Sequence, residues 1–172
     1  MASKATKPAA KKATGSARTD PATKLLMADH KEVHAMFQQY KKLADADAEA
    51  SEREALATEI CHALTVHATI EEELFYPAAR EAEVDADLLD EAEVEHASAK
   101  ALIAQIEAMS PDDDLYDAKV TVLGEYIDHH VKEEEGELFP KCRKSDMDLE
   151  GLGEALAARK QELTAEMAEM AS

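Results

Sequence analysis

The chain has 172 residues, 45% of them hydrophobic, 33% charged and 4% aromatic, which suits one domain of ordinary size rather than two. Thirty-eight acidic residues against nineteen basic ones give a net charge of −19, so the surface as a whole repels a phosphate backbone and nucleic acid is not the expected partner of the body. No apolar run approaches the roughly 18 residues that a membrane helix needs, and the N-terminus has no apolar stretch of the secretory kind, so no membrane role is expected and the expected location is the cytoplasm.

In chain order, residues 1–19 come first and hold Lys4, Lys7, Lys11, Lys12 and Arg18 with no acid, among Ala, Ser, Thr, Pro8 and Gly15. Such a segment buries too little apolar surface to order itself and reads as a disordered basic tail. Any contact with nucleic acid would run through this tail, where five charges make few phosphate contacts. Between Gly15 and Gly124 there is no glycine, and the segments are rich in Ala, Leu, Glu, Lys and Met, so the body is expected to be all-α. Asp20-Pro21 reads as an N-cap followed by proline at the first helical position, opening a helix to about Leu43. A second helix is expected over about 50–80, bending or stopping near Pro77, and a third over about 86–109, ending before Ser110-Pro111. A fourth is expected from near Asp113 to about Glu137, loosened by Gly136 and Pro140, and a fifth over 148–170. The simplest arrangement is an up-and-down antiparallel four-helix bundle over 20–145, with an additional C-terminal helix in 146–172. Cys61 and Cys142 are too few and too far apart to staple a small scaffold, and read as free thiols.

The histidines depart from a generic bundle. At 100° per residue, Leu26, His30, Val33 and Phe37 share a face of the first helix, and Ile60, His67, Ile70 and Leu74 a face of the second. Leu89, His96 and Ile103 share one on the third; Leu123, Tyr126, Ile127, His130 and Leu138 share one on the fourth. A lone histidine on an apolar stripe is most often a satisfied core residue. Four, one per helix, each needing a partner in a low-dielectric core, call for a common explanation. Glu71 follows His67 by four residues and Glu134 follows His130 by four, a spacing that puts each pair on one side of a helix, roughly 5–6 Å apart. The spacing alone is weak in so acidic a chain, and His129 to Glu133 repeats it off the inward face. The internal repeat strengthens it: His67-Ala-Thr-Ile-Glu71-Glu-Glu-Leu-Phe-Tyr-Pro77 and His130-Val-Lys-Glu-Glu134-Glu-Gly-Glu-Leu-Phe-Pro140 share His, Glu, a second Glu, an apolar-aromatic pair and a proline ten residues after the histidine.

With Asp29-His30, His67xxxGlu71 and Pro77, Glu95-His96, and His129-His130xxxGlu134 with the Glu-Leu-Phe-Pro140 ending, the sequence resembles the hemerythrin-like, HHE cation-binding domains over residues 20 to about 143. The resemblance implies a four-helix bundle around two iron ions, a non-haem di-iron centre bridged by oxo, hydroxo or water. It implies His30, His67, His96 and His130 as terminal ligands and Glu71 and Glu134 as bridges. Imidazole with carboxylate independently suits iron or manganese, and the absence of inward thiolates argues against structural zinc. Six such residues under-fill two octahedral ions, leaving room for dioxygen, peroxide or nitric oxide. The oxygen carriers of the family have two histidines one turn apart on the third helix, whereas the neighbours of His96 at that spacing are Ala92 and Lys100. His34, one turn after His30, is a candidate extra ligand and otherwise a neighbour of the site. Tyr126, one turn before His130, is a candidate hydrogen-bond donor to a bound oxygen species. Glu72, Glu135 and Glu137 are alternatives should the register differ, the first two being expected on a solvated face.

Three functions follow. The first is a di-iron protein that binds or reduces a small oxidant, as a monomer or small homo-oligomer. The second is a non-catalytic iron-binding, storage or sensing module acting through its fifth helix or tail, and the third an acidic scaffold without metal.

Overall fold

The structure, a computed structural model, describes residues 20–172; the expected basic tail of residues 1–19 lies outside the described residues. Asp20 caps the first helix, α1 (Pro21–Asp45), its Oδ1 accepting from the Thr23 amide at 2.8 Å, with Pro21 where its missing N–H costs nothing. Then follow α2 (Ala50–Ile70), a π-helical turn π1 (Glu71–Phe75), and α3 (Tyr76–Glu81). Asp85 caps α4 (Ala86–Glu107). The chain continues with α5 (Tyr116–Glu133), a second π-turn π2 (Glu134–Leu138), α6 (Phe139–Lys144), and α7 (Leu149–Met170), capped by Asp148. Every described regular element is helical, and no described helix is long and apolar enough to cross a membrane.

The helix expected over about 50–80, bending or stopping near Pro77, reaches Glu81 with Pro77 inside it, and the one expected to end at about Glu137, loosened by Gly136 and Pro140, runs on through both to Lys144. In an α-helix a proline ring collides with the carbonyl four residues back. In both places a π-turn stands just before the proline, closed by an i→i+5 bond from the Tyr76 amide to the Glu71 carbonyl and from the Phe139 amide to the Glu134 carbonyl. The wider turn moves the offending carbonyl aside, so the helix passes the proline.

Short connections return each helix beside its predecessor: α1 neighbours α2 and α5, and α4 neighbours the same two, closing a four-helix ring. The fifth helix lies outside it, against α1, α2 and π1. Its close approach depends on Gly153, where an added Cβ would meet the Pro21 Cβ at 2.6 Å and the Ala22 amide nitrogen at 2.9 Å. Two apolar clusters fill the bundle, one around Phe75, Phe139, Leu89 and Leu156, the other around Ile60, Ile103, Val120 and Leu123. Between them lies a polar belt. Apart from Thr23, every buried polar side chain among the described residues, Asp29, His30, His67, Glu71, His96, His130 and Glu134, belongs to it.

Candidate metal centre

A belt of charge inside an apolar bundle is costly unless its members satisfy one another or a bound ion. The six residues expected from the sequence do meet. His30 and His67 face each other with their Nε2 atoms 3.1 Å apart, and His96 and His130 do the same, also at 3.1 Å. Each glutamate spans both pairs. Glu71 presents Oε1 to His67 at 3.0 Å and Oε2 to His96 at 3.1 Å, while Glu134 presents Oε2 to His30 at 3.2 Å and Oε1 to His130 at 3.3 Å. The donor atoms therefore fall into two sets joined by two carboxylates: His30, His67, Glu71 and Glu134, then Glu71, His96 and His130 with the second Glu134 oxygen beside them.

The outer nitrogens are tied down in the same orderly way. His67 Nδ1 bonds Asp29 at 3.0 Å, His130 Nδ1 bonds Glu95 at 2.6 Å, His96 Nδ1 bonds Glu72 at 2.9 Å and His30 Nδ1 bonds Glu135 at 2.9 Å. A carboxylate on Nδ1 makes that nitrogen the donor, so the Nε2 lone pair turns inward, which is how metal-binding histidines are oriented. Glu71 Oε1 and Glu134 Oε2 are buried and receive no hydrogen bond, although imidazole nitrogens lie near them. Lone pairs aimed at a common point rather than at each other fit a cation.

Electrostatics agree. Burial alone would lower His67, but the Glu71 charge and the bond that His67 donates to Asp29 outweigh it and raise it to about 10; Glu134 and Glu95 likewise raise His130. Burial alone would raise Glu71 and Glu134, and the second is pushed up further by the first, yet the histidines hold both below the usual carboxylate range. A site with this balance holds positive charge at neutral pH, as protons or as metal.

The tyrosine at the centre is Tyr76. Its hydroxyl donates to Glu134 Oε1 at 2.6 Å and lies 3.2 Å from Glu71 Oε2, 3.1 Å from His96 Nε2 and 3.4 Å from His130 Nε2. Burial and the two glutamates raise its pKa, keeping the phenol protonated. A residue five after Glu71 would stand roughly 140° round an α-helix, and π1 brings it back beneath Glu71. In π2 the equivalent residue is Phe139, which stacks on His30 with ring centres 5.9 Å apart. Tyr126 is 48% exposed and does not join the site, since it stands at the margin of its helix stripe rather than the middle. His34 is exposed, pairing with Asp128 at 3.2 Å and with Gln38 at 3.0 Å, and is not brought to the donor set. Glu72 and Glu135, expected on a solvated face, are instead the half-buried partners of His96 and His30, and Glu137 joins neither donor set. Asp29 and Glu95, whose sequence signal was only that each precedes a histidine, each serve a histidine on the next helix.

Beside the imidazoles is a small, partly open cavity of about 30 Å³, which neither Tyr76 nor the two glutamates line. All four histidines reach it, and Val33, Leu64, Ile103, Ile127 and Val131 make its remaining wall almost wholly apolar. Burial pushes the Cys61 and Cys142 thiols up to about 12, and both are free, so neither is a reactive thiolate.

The family profile described as Hemerythrin HHE cation binding domain matches residues 22–142. A DNA nickase of Nostoc sp. is 30% identical over 117 residues, which are 68% of this chain and 32% of that protein, so the chain spans about a third of the relative's length. In fold, the chain is similar to a crystal structure of a hemerythrin HHE cation binding domain-containing protein from Mycobacterium kansasii, with a TM-score of 0.69, 24% identity, and coverage of 87% of this chain and 90% of that one.

Proposed function

The chain belongs to the hemerythrin HHE cation-binding domain family, and from that premise we propose that it is a non-haem di-iron protein that binds or reacts with a small oxidant, dioxygen, peroxide or nitric oxide, in the core of its bundle. His30 and His67 would hold one ion and His96 and His130 the other, with Glu71 and Glu134 shared between them. Bound iron would supply electrons and open coordination positions for the oxidant. The surrounding residues do the rest. The four carboxylates on the Nδ1 atoms fix the rings, so little reorganisation accompanies loading. The small, mostly apolar cavity has room for a molecule of a few atoms and none for a larger reductant. Tyr76 brings an oxygen to the His96 and His130 pole, the pole at which the resemblance leaves an imidazole missing; its phenol supplies a donor oxygen or a proton held against Glu134.

The observation that carries this reading is the small, mostly apolar cavity reached by all four imidazoles, which a purely storage-type site does not need. The test is metal analysis of protein purified without chelator, with visible spectra before and after exposure to air or peroxide, on the wild type and His67→Ala. About two irons per chain, with near-ultraviolet bands that respond to the oxidant and collapse in the variant, is the expected result. Stable iron with no spectral response to any oxidant would favour an iron-holding or sensing module, and an absence of metal would return the histidines to the core.

A further inference from the structure

The four Nδ1 carboxylates are not equally exposed, and the difference identifies a part of the centre outside the bundle. The side chains of Glu135, Glu72 and Glu95 are 34%, 32% and 23% exposed, so water shares in solvating them. Asp29 is 8% exposed. Its Oδ2 accepts from His67 Nδ1, and its Oδ1 is met by the ammonium of Lys160, which projects from α7. Glu72 has a similar cation in Lys100, at 2.5 Å, and Glu95 lies 3.4 Å from His129, but both of those come from the bundle helices themselves. Lys160 comes from a helix beyond the 22–142 match.

The position of α7 makes that contact durable. Gly153 seats its start against Pro21, and Arg159, next to Lys160, clamps Glu73 of π1 through two bonds of 2.8 and 3.3 Å. Between α7 and the α1–α2 pair runs an open cleft of about 440 Å³, and Asp29 and Val33 line both this cleft and the cavity beside the imidazoles. The Lys160–Asp29 pair thus stands between this open cleft and His67.

We propose that α7 is a working part of the metal centre: Lys160 is a positioning residue that fixes Asp29 and through it the His67 ring, so that α7 sets how firmly the ion at the His30 and His67 pole is held. The proposal rests on the metal-centre reading above. Without the ammonium, a nearly buried carboxylate keeps one partner and is free to turn toward the cleft, and the ring it oriented loses its fixed angle. The His96 and His130 pole, whose outer carboxylates have other partners, is unaffected. This gives the iron site a mechanical link to a helix whose outer face is exposed along most of its length, a route by which events at the C-terminal helix reach the ion.

The test uses the full chain, freed of metal and labelled with ¹⁵N-histidine, titrated with chelator-buffered Zn²⁺ as a diamagnetic probe, so that each imidazole reports its own occupancy. In Lys160→Met the His30 and His67 signals are expected to respond at tenfold to hundredfold higher free Zn²⁺ than in the wild type, with His96 and His130 unchanged, the size typical of removing an outer-shell partner. Lys160→Arg, which keeps the charge, is expected to restore most of the loss. Lys160 is 36% exposed, so its replacement opens no core cavity. A Lys160→Met variant in which all four imidazoles respond at wild-type Zn²⁺ overturns the proposal while leaving the metal centre intact; a wild type whose imidazoles ignore Zn²⁺ overturns both.

Discussion

The two repeated units, His67 to Pro77 and His130 to Pro140, make the same frame and finish it differently. Each lays a histidine, a glutamate and an aromatic ring along one side of a helix, passes a proline through a π-turn, and receives its outer carboxylate from the helix before it, Asp29 for His67 and Glu95 for His130. In return Glu72 holds His96 and Glu135 holds His30. The aromatic position then differs: the first unit places the Tyr76 hydroxyl among the second pair of histidines, and the second unit places the Phe139 ring flat against His30. So does the sixth residue after the histidine, which is Glu73, clamped by Arg159, in one unit and Gly136, with open space around it, in the other. A near-symmetric cage thereby acquires one pole with an extra oxygen donor and one without.

The symmetric part is tested first because its effect is largest. On the proposed di-iron reading, Glu71→Gln and Glu134→Gln each remove a carboxylate that spans both histidine pairs, and both variants should lose iron by more than the tenfold to hundredfold typical of an outer-shell change, as read by metal content after dialysis. Equal losses support the frame; a loss confined to one variant breaks it. On the same reading, Tyr76→Phe makes the two units alike and should weaken metal binding only at His96 and His130, by about tenfold to hundredfold in a chelator competition, while changing the oxidant-dependent spectrum.

Acidity sharpens the same comparison. His67 and His130 both have raised pKa values in the metal-free chain, so each contributes stability that is fully present below the ordinary histidine range and is lost as pH rises, through about 10 for His67. The melting temperature of metal-free protein should therefore fall between pH 7 and 10, whereas that of the loaded protein should hold, since metal has already displaced those protons. The smallest effect is at the sixth position: Gly136→Ala meets nothing within 4 Å and should stabilise the chain by about 0.5–1 kcal/mol in thermal melts, without changing metal affinity.

Most of the cage was legible because it obeys α-helical spacing. The i, i+4 pairs and the ten-residue offset of the prolines located His67, Glu71, His130 and Glu134, and the inward stripes located His30 and His96. What spacing could not deliver lies beyond a π-turn or on another element. Tyr76 is off the face by α-helical arithmetic, and nothing in a single sequence announces the extra-wide turn except two prolines that fail to end their helices. Tyr126 looked inward because it shares a stripe with His130, but it stands at the margin, where a small rotation of the helix decides exposure. His34 matches the place of Lys100, one turn after a histidine of the cage, and both side chains pair outside the donor set, Lys100 with Glu72 and His34 with Asp128 and Gln38. Lys160 is 93 residues from His67 in sequence, and only packing of α7 on α1 joins them.

Each π-turn holds one residue more than a straight α-helix would use. Counted as insertions, both surplus residues fall at the same distance after a histidine and its glutamate, and both precede a proline that the widened turn makes tolerable.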